Sequence, residues 1–372
     1  MTRPEPAIHP ASTPGLEDVV AADTVLSMVD GTAGRLIIRG HDLDTLAGWR
    51  FEDLLATLWR DFVPGNPDAC EIGEKLGTAR RHVFERLSPA LLAATDDLSE
   101  VEALRLLLAS LADDERGDHA ITAAAAAGVY AATIARRRKG EPPRAPDPDT
   151  SHSADILAML HGAPVALEKA AALDAYLVTV ADHGLNASTF AARVIASTRA
   201  GLFSSVVGAL CALKGPLHGG APGPVLDMLD AIGDRENIAG WIGATLSRGE
   251  RLMGFGHRIY RVRDPRADAL KRALGRLGEP TNRLAFAEDV EREALRQLAE
   301  RHPERRLETN VEFYTALILE AVGFDRASFT NVFAAGRMAG WTAHVREQEA
   351  ASRLIRPKSR YIGPMPTDVN EA

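Results

Sequence analysis

The chain has 372 residues, 46% of them hydrophobic and 25% charged, and its net charge is −8 at pH 7. This length allows a large domain with a smaller one, and the negative charge argues against nucleic acid as the main partner. The two cysteines form neither a disulfide framework nor a zinc motif, and no apolar run reaches the roughly 18 residues of a membrane span. We therefore expect a cytoplasmic protein without a membrane partner.

The apolar residues recur at the helical period along most of the chain, and the alternation typical of strands is almost absent. The pattern predicts an all-α protein with one short strand-like stretch at residues 34–40. After a flexible tail at residues 1–14, rich in Pro, Ser and Thr, helices are expected at 51–62, 101–111, 120–135, 157–162 and 167–180, and further ones at 238–246, 286–298, 309–322 and 331–341.

Two details of this helical pattern have structural interpretations. The basic cluster Arg136–Lys139 ends the alanine-rich helix. It could bind phosphate, but cations at a helix C-terminus more often complement the helix dipole, and we favour that interpretation. Cys211 lies in an apolar run and is predicted to be a small core residue.

Three histidines lie where predicted helices begin or end. His218 stands in the turn Lys214-Gly-Pro-Leu-His-Gly-Gly, His257 follows Met253-Gly-Phe-Gly, and His183 precedes Asn186, which can cap the next helix. A histidine at such a junction can equally be a core residue with satisfied hydrogen bonds, and for His218 alone the two interpretations are about even.

A carboxylate and several arginines accompany these histidines. Glu312 lies at a helix start, where the macrodipole favours its ionised form, and Arg266, Arg337 and Arg356 lie in loops or in a small-residue helix. Each arginine alone is more often a surface charge, but a group of them is typical of a polycarboxylate site. A histidine donor with a carboxylate base suits proton removal beside a carbonyl. Metal binding is the less favoured alternative, because the short ligand spacings are missing.

At these motifs the chain resembles the citrate synthase family, from about Gly34 to Pro364. The segments that carry the resemblance occur in the family's order: Gly34-Arg-Leu-Ile-Ile-Arg-Gly-His-Asp-Leu, Ala181-Asp-His-Gly-Leu-Asn, Lys214-Gly-Pro-Leu-His-Gly-Gly, Gly254-Phe-Gly-His-Arg-Ile-Tyr-Arg, Asp264-Pro-Arg-Ala, Asn310-Val-Glu-Phe-Tyr, Gly340-Trp-Thr-Ala-His and Arg356-Pro-Lys.

The resemblance implies a helical homodimer with shared active sites. A large domain, residues 15–219 and 324–372, would hold an inserted small domain at 220–323, and the C-terminal tail would reach the partner subunit. The substrates would be oxaloacetate and acetyl-CoA, with no metal or bound cofactor. Closure of the small domain would exclude water from the thioester.

The resemblance also implies a role for each site residue. Glu312 matches the base that deprotonates the acetyl group, His218 the donor that stabilises the enol, and His257 the donor to the oxaloacetate carbonyl. The oxaloacetate-binding positions are His183, Arg266, Arg337 and, from the other subunit, Arg356. The CoA-binding positions are Leu252, Gly254, Gly256 and Arg261.

Three departures from the family pattern leave alternatives open. Glu312 replaces the usual aspartate, Ala221-Pro-Gly-Pro replaces Ala-Asn-Glu, and Val180 and Gly184 replace polar residues around Asp182-His183. A base displaced by about 1 Å can lose about 10²-fold in rate. The alternatives are a 2-methylcitrate synthase using propionyl-CoA and a non-catalytic paralogue that binds oxaloacetate or CoA.

Overall fold

The computed structural model describes residues 16, 19–114, 116–216, 218, 223–257, 259–260, 262–277 and 282–364. Three predictions fall outside the described residues: the N-terminal tail at 1–14, Arg261 in the CoA-binding set, and the departure at Ala221-Pro222.

The all-α prediction is confirmed. The described helices are α1 (Leu43–Leu46), α2 (Phe51–Leu58), α3 (Ala69–Glu85), α4 (Pro89–Ala93), α5 (Glu100–Ala109), α6 (His119–Arg138), α7 (His152–His161), α8 (Leu167–Val180), α9 (Ala187–Ala196), α10 (Leu202–Leu213), α11 (Gly223–Ile232), α12 (Ile238–Ser247), α13 (Pro265–Gly275), α14 (Asn282–Arg301), α15 (Val311–Val322) and α16 (Phe329–Ala351). Short 3-10 turns lie at Arg235–Asn237 and Arg326–Ser328. Among these described helices, none is long and apolar enough to cross a membrane.

A small antiparallel sheet precedes the helices. Its strands are β1 (Ser27–Asp30), β2 (Arg35–Ile38) and β3 (His41–Asp42), in the order β1-β2-β3. The predicted strand-like stretch is β2, whose Leu36 and Ile38 are buried. Both neighbouring strands escaped prediction, because β1 has no fully buried residue and β3 has only two residues, so neither shows a clear alternation of apolar and polar side chains.

The alanine-rich helix α6 forms the centre of the core. Its residues from Ala120 to Ala135 are buried except for Thr122, and it packs against α3, α5, α7, α10 and α16. Small alanine side chains let these helices approach on every side, which explains why a helix of such weak amphipathicity is interior. This core supports the helices α8, α10 and α16 that lead to the predicted site.

The basic cluster at the end of α6 forms ion pairs and hydrogen bonds with neighbouring loops. Arg137 pairs with Asp96 at 2.5 Å, Lys139 pairs with Asp325 at 3.2 Å, and Arg138 donates to backbone carbonyls at the end of α4. These contacts support the structural interpretation over a phosphate site.

The prediction that Cys211 is a core residue is wrong. Its side chain is exposed, because α10 turns Leu210 and Leu213 toward the core and leaves position 211 on the outer face.

Two glycines of α3 differ in the space around them and give a stability test. A Cβ at Gly77 would lie 2.0 Å from the carbonyl oxygen of Pro148, whereas one at Gly73 would have only Glu52 Cγ near it, at 3.8 Å. We expect Gly73→Ala to raise the free energy of unfolding by about 1 kcal/mol through helix propensity. Gly77→Ala should lower it by about 1–3 kcal/mol through overpacking. Denaturant unfolding of both variants checks this, and equal effects would contradict the close α3–Pro148 contact.

Candidate active site

Four of the predicted substrate-binding and catalytic residues converge beside the end of α8. His183 follows that helix, His257 lies in the loop before α13, Arg266 is in the first turn of α13, and Arg337 is on α16. The rings of His183 and His257 have centroids 5.9 Å apart. Burial lowers the pKa of His183 well below its usual value, and Arg266, Arg337, His257 and His218 lower it further. His183 is therefore neutral within a positively charged pocket.

Arg337 is a buried cation with unused hydrogen-bonding capacity. Its Nε donates to the carbonyl oxygen of Val180 at 2.7 Å, but its Nη1 is buried and has no hydrogen-bond partner among the described residues. Burial lowers the pKa of Arg337 to about 10, with Asp182 opposing the shift and Arg266 adding to it. A buried unpaired guanidinium is costly, so a carboxylate ligand here would supply the missing acceptor.

Arg266 is held by the Asp264 carboxylate. The guanidinium donates to Asp264 from Nε at 3.0 Å and from Nη2 at 2.8 Å. The same carboxylate caps α13 through the backbone N–H of Arg266 (3.0 Å) and accepts the N–H of Val311 at the start of α15 (3.2 Å). Asp264 thus joins two helix N-termini at the site. The sequence motif Asp264-Pro-Arg contained this residue, but its linking role was not predicted.

The hydrogen bonds of His257 fix its protonation. Its Nδ1 accepts the backbone N–H groups of Ile259 (2.9 Å) and Tyr260 (3.0 Å), so the neutral ring carries its proton on Nε2. Burial lowers the pKa of His257 to about 4, and Arg266 adds to the effect. The Nε2 atom lies 3.3 Å from Arg266 Nη2. Both groups are N–H donors and neither can accept from the other, so an oxygen atom placed between them would accept from both, which is an arrangement that can polarise a carbonyl oxygen.

The hydrogen bonds of His218 place its proton on Nδ1, the other ring nitrogen from the one that is protonated in His257. Its Nε2 accepts the backbone N–H of Ser188 at 3.3 Å and lies 2.8 Å from Ser188 Oγ. Asn186 caps α9 as predicted, and Trp341 Nε1 donates to the same hydroxyl at 3.2 Å. Burial lowers the pKa of His218 to about 4, and Arg337 contributes. The neutral ring thus carries its proton on Nδ1. Ser188 and Trp341 are supporting residues that sequence reasoning missed.

Glu312 lies in the first turn of α15, and Asn310 caps that helix by accepting the Glu312 N–H at 3.0 Å. Within the described part of the chain its carboxylate has no hydrogen bond. Burial raises the pKa of Glu312, while Arg266 and Arg251 act in the opposite direction. A carboxylate that is half-buried, without a hydrogen bond among the described residues and more basic than usual can remove a proton from a carbon acid.

The predicted CoA loop is tied to the strand-like segment before α15. Gly256 N donates to Glu308 O at 2.8 Å, and Asn310 N donates to Gly254 O at 2.9 Å. Leu252 and Gly256 line a pocket of about 660 Å³, together with the basic side chains Arg251, His302 and Arg305. Gly254 lies beneath it with a φ of 84°, and a Cβ there would lie 2.8 Å from Phe313. The loop therefore connects this pocket with Glu312.

Arg356 stands apart from the other predicted residues. It is exposed in an extended segment after α16 and has neither a hydrogen bond nor an ion pair among the described residues. Within a single chain, Arg356 is therefore not part of the cluster formed by His183, His257, Arg266 and Arg337.

A buried polar chain lies behind His183. Asp182 Oδ1 accepts the backbone N–H of His183 at 2.8 Å, and its Oδ2 lies 3.2 Å from His344 Nε2. His344 Nδ1 accepts from Arg193 at 2.9 Å, and Arg193 also pairs with Glu347. Burial alone would raise the pKa of Asp182, but His344 and the Ser27 hydroxyl bring it below its usual value. His344 was visible in the Gly340 motif, yet its pairing across 162 positions was not predictable from spacing.

Of the two departures beside His183, the structure explains Gly184. The contact of Val180 with Arg337 is made by its backbone carbonyl, which any residue at this position would provide. Gly184 adopts a φ of 60°, and its N–H donates to Ser27 Oγ of β1 at 3.0 Å. The sheet therefore provides polar support for this turn.

Comparisons with known proteins agree across nearly the whole chain. A family model described as "Citrate synthase, C-terminal domain" matches residues 15–358. A Mycobacterium tuberculosis protein named "Putative citrate synthase 2" is 38% identical over 364 residues, covering 95% of this chain and 93% of that protein. The M. tuberculosis 2-methylcitrate synthase is 36% identical over 98% of this chain and 93% of its own length.

Solved structures show the same likeness. Citrate synthase from Thermotoga maritima has a TM-score of 0.83 and 34% identity, covering 97% of this chain and 98% of the other. The ternary complex of the Thermoplasma acidophilum citrate synthase with carboxymethyl coenzyme A and oxaloacetate has a TM-score of 0.83 and 26% identity, covering 96% and 97%.

The neutral state of His218 makes a prediction for acid stability. Its pKa is about 4 in the folded protein, against an ordinary value of 6.5 for histidine, so the unfolded chain binds the extra proton first as pH falls. Stability should therefore decrease between about pH 6.5 and pH 4. Because glutamine does not titrate, His218→Gln should lose less thermal stability than wild type over this range. His82→Gln, which removes an exposed imidazole of α3, should behave as wild type. Parallel curves for all three would show that His218 is not held neutral.

Proposed function

The chain belongs to the citrate synthase family of acyltransferases, and we propose that it condenses acetyl-CoA with oxaloacetate and water to give citrate and CoA. The observation that supports this best is the cluster of His183, His257, Arg266 and Arg337. In it, Arg337 Nη1 is buried without a partner among the described residues, and N–H donors of His257 and Arg266 lie side by side. Oxaloacetate is a small dicarboxylate with a ketone, so it would supply acceptors for both arginines and for the histidine donor.

Glu312 is our proposed base, which takes a proton from the acetyl methyl group. His218, with its Nδ1 proton available, donates to the thioester oxygen and stabilises the enol that forms. The enol carbon then attacks the oxaloacetate carbonyl carbon, and His257 gives the new alkoxide its proton. Hydrolysis of the citryl thioester releases citrate and CoA. In this proposal acyl-CoA is a substrate, and no metal or bound cofactor takes part.

The CoA moiety is proposed to occupy the pocket beside Leu252 and Gly256. Arg251, Arg305 and His302 line that pocket, and the two guanidinium groups suit the phosphates of CoA. We further propose that residues 220–323 form the smaller domain, whose closure brings the pocket over bound oxaloacetate and excludes water.

Propionyl-CoA is the alternative acyl donor, because relatives of both names match the chain at similar identity. One methylene in an apolar pocket changes binding by only about 1–3 kcal/mol. A non-catalytic paralogue is the alternative of another class. It is disfavoured because a binding protein has no need of a half-buried carboxylate at position 312 that has no hydrogen bond within the described part of the chain.

We also propose a homodimer with shared sites, located in the cytoplasm. Half-exposed apolar side chains cover the outer faces of α9 and α10, among them Phe190, Val194, Ile195 and Val207, and such a face suits burial against a second copy. The exposed tail with Arg356 extends beyond the subunit's own site and can reach that of the partner. The two free cysteines fit a reducing compartment.

Release of CoA thiol with oxaloacetate and either acetyl-CoA or propionyl-CoA tests the function. The higher kcat/KM identifies the acyl donor. Glu312→Gln should lower kcat by about 10²-fold or more, the usual contribution of a general base, and leave oxaloacetate binding nearly unchanged. Glu320→Gln, on the exposed side of the same helix, is the matched control. Substantial turnover by Glu312→Gln would remove Glu312 from the base role, and no release by wild type with either donor would favour the paralogue.

The shared site is tested by complementation between two impaired subunits. Arg356→Ala should raise the KM for oxaloacetate about ten- to hundredfold, since a charged hydrogen bond to the substrate carboxylate is lost. Mixing this variant with Glu312→Gln should restore one working site per heterodimer. Arg360→Ala, in the same exposed segment, should leave KM near wild type. Activity of the mixture no higher than the sum of the two variants would place Arg356 outside the partner's site.

A further inference from the structure

Tyr260 contacts both histidines of the proposed oxaloacetate pocket. Its backbone N–H donates to His257 Nδ1 at 3.0 Å, and its hydroxyl lies 3.2 Å from His183 Nε2. His183 follows α8 and Tyr260 precedes α13, 77 positions later. One residue therefore bridges the two loops that carry the histidines.

The direction of the side-chain bond follows from burial. Tyr260 is 3% exposed, and burial raises the pKa of its hydroxyl, so the phenol keeps its proton. His183 is neutral, because burial and the nearby arginines lower its pKa. In the described part of the chain, His183 Nε2 is the only hydrogen-bond partner of the Tyr260 hydroxyl. A buried O–H needs an acceptor, so the hydroxyl donates to Nε2 and the His183 proton lies on Nδ1.

The environment of Tyr260 leaves its ring little freedom. The ring centroid lies 5.5 Å from that of His183 and 4.8 Å from that of His257, with the Arg266 guanidinium 5.8 Å away. On the other side, the β1–β2 turn supports the backbone: a Cβ at Gly31 would lie 2.3 Å from the carbonyl oxygen of Ile259. Tyr260 is thus enclosed by the site on one side and by the sheet on the other.

We propose that Tyr260 is a positioning residue that sets the tautomers of His183 and His257 together, so that each ring presents an N–H donor to the bound dicarboxylate. Its backbone N–H, together with that of Ile259, leaves the proton of His257 on Nε2, and its hydroxyl leaves the proton of His183 on Nδ1. The identity of the ligand rests on the proposed function, but the tautomers are a property of the free protein. Two donors ready before binding reduce the reorganisation that the ligand must induce.

Tyr260→Phe separates the two contacts, because it deletes the hydroxyl and keeps the ring and the backbone N–H. NMR of the histidine ring nitrogens in the ligand-free protein, assigned with His183→Gln and His257→Gln, should show His183 with its proton on Nδ1 in wild type and a mixture of tautomers in Tyr260→Phe. His257 should keep its proton on Nε2 in both. The Kd for oxaloacetate, measured without acyl-CoA, should rise about five- to tenfold, as for loss of one hydrogen bond.

Tyr130→Phe is the matched control, since it removes the hydroxyl of a buried tyrosine in the central helix α6. It should change neither the tautomers nor the Kd. The proposal is overturned if wild-type His183 carries its proton on Nε2, or if Tyr260→Phe leaves the His183 tautomer and the Kd unchanged. Should Tyr260→Phe fail to fold, the wild-type tautomers still decide the question. A protein that shows the expected tautomers but releases no CoA would refute the proposed function and leave the role of Tyr260 intact.

Discussion

The Asp264 carboxylate is the constraint on which the site geometry depends. It is 1% exposed and forms a forked ion pair with Arg266, caps α13 and accepts the first N–H of α15. These contacts link Arg266, the proposed substrate-binding arginine, and the helix of Glu312 to one buried anion. A buried carboxylate is stable only when such partners surround it. Removal of Asp264 would therefore release two helix starts at once, in addition to unpairing Arg266.

Asp264 has several hydrogen-bond donors around it, whereas Arg337 has few acceptors. This guanidinium is as deeply buried as Arg266, yet within the described chain it has a backbone carbonyl and no carboxylate in contact. Unpaired charge in the interior lowers the stability of the free protein, and a ligand carboxylate recovers that loss on binding. His183, His218 and His257 are neutral, so they add no positive charge near Arg337, and each ring still has an N–H donor. These features would suit the dianion of the proposed function.

Local signals in the sequence predicted the elements that end at this site. Apolar periodicity gives α8 with the bounds observed, and the Asn186 cap begins α9 as expected. The contacts that the sequence did not predict join residues far apart in the chain. They are the pairing of His344 with Asp182, the contact of Tyr260 with His183 and the support of Gly184 by β1. The outward position of Cys211 was missed for a related reason: an apolar run does not show which face of α10 the neighbouring helices cover.

Glu312 shows how substrate binding and proton transfer can be coupled by charge alone. Hydrogen bonds to its carboxylate are missing from the described contacts, so its basicity is set by burial against the fields of Arg266 and Arg251. In the proposed reaction, a bound oxaloacetate places negative charge against Arg266 and offsets the field that lowers the Glu312 pKa. The carboxylate then becomes a stronger base when its carbon acid has an electrophile to attack. This coupling acts through charge at a distance. It therefore tolerates the extra methylene of glutamate better than a base held by a rigid hydrogen bond, provided that the carboxylate still reaches the acyl carbon.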